Sequence, residues 1–196
     1  MKKGLLGCVL LLVVAAVVVA LMVGGVYNRL VTLDEGVKSA WSQVENVYQR
    51  RADLIPNLVE TVKGARDFER DTLTAVVEAR AKVGQVSFNG VPNAEQLKQF
   101  QSAQDGLSSA LSRLLVVVER YPDLKSNQNF LDLQAQLEGT ENRINVARSR
   151  FNEAARAYNT KVRSFPGNLL AGAFGFAPKP YFEAEKGAEK APKVKF

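Results

Sequence analysis

Between Gly4 and Asn28 the chain carries no charged side chain, and Leu5–Val26 (LLGCVLLLVVAAVVVALMVGGV) is almost wholly apolar. About 22 residues at a rise of about 1.5 Å make a helix of roughly 33 Å, enough to cross the hydrocarbon core of a bilayer. The run divides the chain into a short flank (1–4), a transmembrane anchor (5–26) and a larger remainder. A cleavable signal peptide is the competing reading, because Lys2 and Lys3 form a basic n-region and Val23-Gly24-Gly25 is a passable small-residue site. Its apolar core would ordinarily be only about 7–15 residues long, so the length favours an uncleaved anchor. Cys8 follows Leu-Leu-Gly but precedes most of the apolar run, the wrong order for a lipidated cysteine, and is expected to face lipid or a packing neighbour. The flanks set the orientation: Lys2, Lys3 and the free amine on one side, Arg29 and Lys38 on the other. The slight bias puts the N-terminus inside and the bulk of the chain on the extracytoplasmic side of the cell (inner) membrane, with the cytoplasmic side as the alternative.

Histidine is absent from the 196 residues and cysteine occurs once. The commonest general base, metal ligand and physiological pH switch are thereby removed, along with any internal disulfide and any soft-ligand zinc site. No phosphate-binding Gly-Lys-Ser/Thr loop occurs. The chain is expected not to be an enzyme and to hold neither metal nor cofactor. Its 26 Lys+Arg against 20 Asp+Glu leave a net charge of +6, a modest field at this length. No nucleic-acid motif or aromatic platform accompanies it, so nucleic acid is not an expected partner.

Beyond the anchor the spacing is helical throughout, and the fold class is all-α. Thr32-Leu33-Asp34-Glu35 has capping-box form, marking either a fresh helix or the point where the anchor helix leaves the bilayer. Leu33, Val37, Ala40, Val44 and Val47 recur at threes and fours, as do Leu54, Leu58, Val62, Ala65, Phe68, Thr72, Ala75 and Ala79. Gly84–Asn93 reads as a loop with Asn93 capping the next helix, Tyr121-Pro122 ends that helix, and Ser126 is the expected cap of the last and longest one. Phe130, Leu133, Leu137, Thr140, Ile144, Ala147, Phe151, Ala154, Tyr158 and Phe165 then keep a near-heptad spacing that predicts coiled-coil-like packing. Pro56 cannot donate to the carbonyl of Ala52. A tight reversal around Arg51–Asp53 gives an antiparallel up-and-down four-helix bundle of even lengths over 27–165. A kink gives three long helices, the first bent at Pro56.

Two long blocks, TLDEGVKSAWSQVENVYQRRADLIPNLVETVKG and ENRINVARSRFNEAARAYNTKVRSFPGNLLAGAFGF, together with the following PKPYFEA, resemble the LemA family of bacterial membrane-anchored proteins. The resemblance implies one membrane helix followed by a four-helix up-and-down bundle. It implies no catalytic residues.

Three places are candidates for contact with a partner or lipid. Arg50 and Arg51, beside Asp53, form the densest charge cluster next to a break: an anion or partner site, or a turn paired to carboxylates such as Glu141 or Glu45. Were Arg51 instead buried by a helix kinked at Pro56, it would need a partner and would fix the register. Arg156, Lys161 and Arg163 make the end of the last helix basic, suited to headgroups, to an acidic surface, or simply to solvent. Leu169, Leu170, Phe174 and Phe176 lie in an apolar Gly/Pro-rich segment (166–182) too short to span a bilayer, which either caps the bundle or contacts membrane or a neighbouring subunit. Residues 183–196 read as a mobile charged tail. The expected function is a non-enzymatic membrane-anchored scaffold or adaptor that forms a homo-oligomer and/or docks another envelope protein. The alternative is a membrane-bound sensor or regulator binding a small ligand within the bundle.

Overall fold

A computed structural model describes residues 2–64 and 68–183; Met1, residues 65–67 with Ala65 among them, and the tail beyond Glu183 lie outside the described residues. The described residues are helical apart from short connections: α1 Lys2–Lys63, α2 Arg70–Gln85, α3 Ala94–Val118, α4 Pro122–Lys125, α5 Gln128–Arg163 and α6 Gly167–Ala173. The apolar segment is the first part of α1, long and apolar enough to cross a membrane, and its described side chains are nearly all exposed. Thr32 begins no new helix: its hydroxyl donates to the Asn28 carbonyl one turn back (2.9 Å), within an unbroken α1.

The reversal expected around Arg51–Asp53 does not occur. α1 runs through Pro56 to Lys63, and the chain turns back between Gly64 and Glu69. Two features make the proline tolerable. Its ring lies on the exposed side, while Ile55 just before it and Leu58, Val59 and Val62 beyond it bury apolar surface. The Ala52 carbonyl, deprived of its helical donor, instead accepts from Arg80 Nε on α2 at 3.1 Å. The second apolar run is therefore two elements: Phe68 is buried in the turn against Tyr121 (ring centroids 5.0 Å apart), and Thr72 begins the buried face of α2.

Side-chain contacts set the directions. Trp41 meets Phe151 and Arg51 meets Glu141, so α5 runs antiparallel to α1. Trp41 and Arg51 also meet Phe100 and Gln104, so α3 runs parallel to α1. Arg120 past the end of α3 pairs with Glu69 ahead of α2, as an antiparallel α2–α3 pair requires. α1, α2, α3 and α5 thus alternate in direction along the chain. Asn93 caps α3 in a capping box with Gln96. The cap of α5 is Asn127, accepting from Phe130 N–H at 3.2 Å, and not Ser126, whose hydroxyl bonds back to the Asp123 carbonyl. Two apolar clusters fill the interior. The one nearer the apolar segment centres on Trp41, Phe100, Phe151 and Phe182; the far one joins α1 from Ile55 onward to α2, α3, α4 and the start of α5.

Candidate functional site

The arginine pair separates on folding. Arg50 is exposed, whereas Arg51 is 2% exposed and joins three helices. Its Nη1 donates to Glu141 Oε2 (3.0 Å) and Ser108 Oγ (2.9 Å), its Nη2 donates to the Gln104 side chain, and its guanidinium lies 5.1 Å from the Tyr48 ring centroid. This is the buried, partnered arginine that a helix continuing past Pro56 requires, one that locks the register of α1, α3 and α5. Burial also pushes the Tyr48 hydroxyl pKa upward. Beside this hub a cleft of about 360 Å³ opens between α1, α2 and α3, lined among others by Trp41, Tyr48, Arg80, Phe88 and Phe100.

The end of the fold nearest the apolar segment gathers the other candidates. α6 buries Gly167 and Ala171 against α1 and α5. Gly167 is required there, since a Cβ would stand 2.2 Å from the Lys161 carbonyl oxygen. The helix ends in a Schellman turn: Gly175 takes φ +75° and Phe176 N–H donates to the Ala171 carbonyl at 2.9 Å. Phe174 and half-buried Phe176 pack edge-on to Tyr27, with centroids 5.0 and 5.8 Å away. Tyr27 directly follows the apolar run. The outer side of this region leaves Phe165 77%, Leu169 65% and Phe174 50% exposed, with Leu170 half-buried. Arg156 and Arg163 are exposed and Lys161 is half-buried along the last turns of α5.

The sequence reading missed how residues 179–183 are held. They run back along α5 as an extended strap gripped by Asn152 and Asn159, with Phe182 buried between Trp41 and Phe151. The segment is thus a helix followed by a strap, and Glu183 belongs to the strap through its carbonyl bonds to Arg148 and Gln101. Two polar Asn on the buried stripe of α5, two turns apart, were the available signal. Lys179 closes the strap onto α1 through a 2.7 Å pair with Asp34. Burial raises the Asp34 pKa, but the hydrogen bonds and attraction from Lys179 and Lys38 outweigh it and leave the carboxyl below its ordinary value. Burial pushes the neighbouring Tyr158 hydroxyl up to about 12. A groove of about 470 Å³ on the α1–α5 pair is lined by Val47, Val146 and Ala147 with Arg143 and Arg150. Among the described residues no group of three or more Cys, Asp and Glu is placed to hold a metal ion.

Residues 40–196, from α1 through the strap and tail, match the LemA family. Magnetosome protein MamQ 2 of Paramagnetospirillum magneticum (strain AMB-1) is 30% identical over 185 residues, covering 85% of this chain and 67% of that protein. Magnetosome protein MamQ of Magnetospirillum gryphiswaldense is 29% identical over 184 residues, with the same coverage. Protein LemA of Metamycoplasma hominis is 23% identical over 144 residues, covering 74% of this chain and 63% of its own length. The family match takes in Trp41, Arg51, the later helices and the strap, and the chain belongs to the LemA family.

Proposed function

We propose that this protein is a single-pass membrane-anchored scaffold, non-enzymatic, whose antiparallel up-and-down four-helix bundle stands on the bilayer and self-associates and/or docks another envelope protein. The observation that carries the reading is the unbroken course of α1 from Lys2 to Lys63. Anchor and bundle share one helix with no linker, so every exposed face is held at a fixed height and orientation above the lipid. A scaffold needs that constraint. The base formed by Phe165, Leu169 and Phe174 then meets the headgroup region, with Arg156, Lys161 and Arg163 toward anionic lipid. The α1–α5 groove, with Val146 half exposed between Arg143 and Arg150, offers a contact face along the side. The proposed location is the inner membrane with the bundle outside. The small-ligand alternative draws on the cleft beside Tyr48, whose volume falls within the usual range of ligand sites.

Two measurements test the proposal. Particle mass in mild detergent and in nanodiscs should exceed that of one chain; a monodisperse monomer, with no protein co-purifying from the envelope, refutes the scaffold reading. A fluorophore at position Phe174 should be quenched by lipid-borne quenchers, and access by aqueous quencher alone refutes the seating of the base.

A further inference from the structure

Lys179–Glu183 lies in neither a helix nor a sheet; its backbone is met by side-chain amides. Asn159 donates from Nδ2 to the Lys179 carbonyl (2.8 Å) and accepts at Oδ1 from the Lys179 N–H (2.8 Å). Asn152 does the same for Phe182, at 3.1 and 2.8 Å. Each asparagine reproduces the paired bonds that a neighbouring antiparallel strand would supply. The spacings agree: the two asparagines stand about 10.5 Å apart along α5, and the two gripped residues about 10 Å apart in an extended chain. Pro180, which has no N–H, falls between the grips. Such backbone bonds recognise extension, and two side chains add selectivity. Lys179 pairs with Asp34, and Phe182 fills a slot between Trp41 and Phe151 beneath the Arg148 guanidinium, 5.0 Å from its ring centroid. The groove is therefore a receptor for an extended segment carrying a cation three residues ahead of an aromatic, filled here by the chain's own strap.

We infer that the groove also takes this segment from a second copy, so that copies of this chain associate by exchanging their Lys179–Glu183 straps. The inference rests on the self-association proposed above. The exchanged ligand is identical to the native one, so no contact is lost and only the connection between α6 and the strap must re-route. That connection is suited to the change: Gly175 is at positive φ, and Ala177 and Pro178 are exposed. Because α1 is one helix from the apolar segment to the groove, Asp34 and Trp41 stand at the same height in every copy. Lateral diffusion then brings each strap to a partner's groove at one level, and confinement raises the effective concentration.

Chains in a Cys8→Ser background, some carrying Arg156→Cys and others, differently tagged, carrying Tyr181→Cys, are reconstituted together in nanodiscs. Both positions are exposed, and Arg156 lies on the same stripe of α5 as the two asparagines. Exchange predicts an interchain 156–181 disulfide in at least about tenfold excess over the 156–156 and 181–181 species. Oligomeric particles without that disulfide overturn exchange and leave self-association standing; monomeric particles overturn both. Complementation gives a second readout. Full-length Phe182→Ala and full-length Asn152→Ala/Asn159→Ala, each folded by circular dichroism, should be monomeric alone and form heterodimers when mixed. Association of either variant alone at wild-type strength overturns the inference.

Discussion

Arg51 is the residue whose replacement tests the packing logic most sharply. In Arg51→Ala the guanidinium disappears from among Gln104, Ser108, Glu141 and Tyr48. Glu141 is 44% exposed at its side chain and returns to water at little cost, so the full penalty for an orphaned buried charge does not apply. Gln104, at 3% exposure, has no such escape; an unpaired buried amide costs about 1–3 kcal/mol. The volume of the lost stem adds a cavity penalty of about 24 cal/mol per Å³. Arg51→Ala should therefore cost about 2–4 kcal/mol, and Arg51→Met, which keeps the stem volume, about 1–3 kcal/mol. Glu141→Gln retains an acceptor for Nη1 but takes away the carboxylate facing a buried guanidinium, and should cost about 1–2 kcal/mol. Urea unfolding of the full chain in detergent, followed by circular dichroism, reads the order directly. In thermal melts, about 2–4 °C per kcal/mol separates the variants. A Glu141→Gln variant as unstable as Arg51→Ala, or an Arg51→Ala variant within about 1 kcal/mol of wild type, refutes the assignment of the cost to buried Gln104 and the lost stem.

Two further outcomes follow from named contacts. Arg80→Ala should cost about 0.5–1.5 kcal/mol in the native chain by freeing the Ala52 carbonyl, and nearly nothing after Pro56→Ala, which restores the helical donor; equal costs in both backgrounds, measured by urea unfolding, contradict the capping role. Because the folded Asp34 pKa lies below its ordinary 3.8, the Lys179 pair contributes fully above that value and is lost as pH falls through the lower folded value. Acid should therefore loosen the strap and shift the emission of Trp41, the single tryptophan, which stacks on Phe182; an unchanged acid profile in Asp34→Asn removes Asp34 as the cause.

Much of the architecture was legible because helical periodicity is local. The apolar run, the Asn93 cap, the Tyr121-Pro122 stop and most of the buried stripe of α5 follow from spacing and capping chemistry within a turn or two. The position of the first reversal was not legible from Pro56. Its cost is local, but the Arg80 bond that offsets it comes from another helix. The local signal for the true turn was present in Lys63-Gly64, a basic last turn followed by glycine, and it was masked because Phe68 and Thr72 stay in apolar register while lying beyond the break.

By itself the sequence determined an apolar N-terminal helix long enough to cross a bilayer, an all-helical body and the limits that a chain without histidine places on its chemistry, since each depends on composition or on neighbours three to seven residues apart. Tertiary structure alone decided that Arg51 is interior and Arg50 is not, that Phe174 rests on Tyr27, and that Asn152 and Asn159 hold a strap. These are meetings between residues tens of positions apart. Whether a polar side chain is buried, and by what it is satisfied, depends on which distant groups packing brings within hydrogen-bond reach.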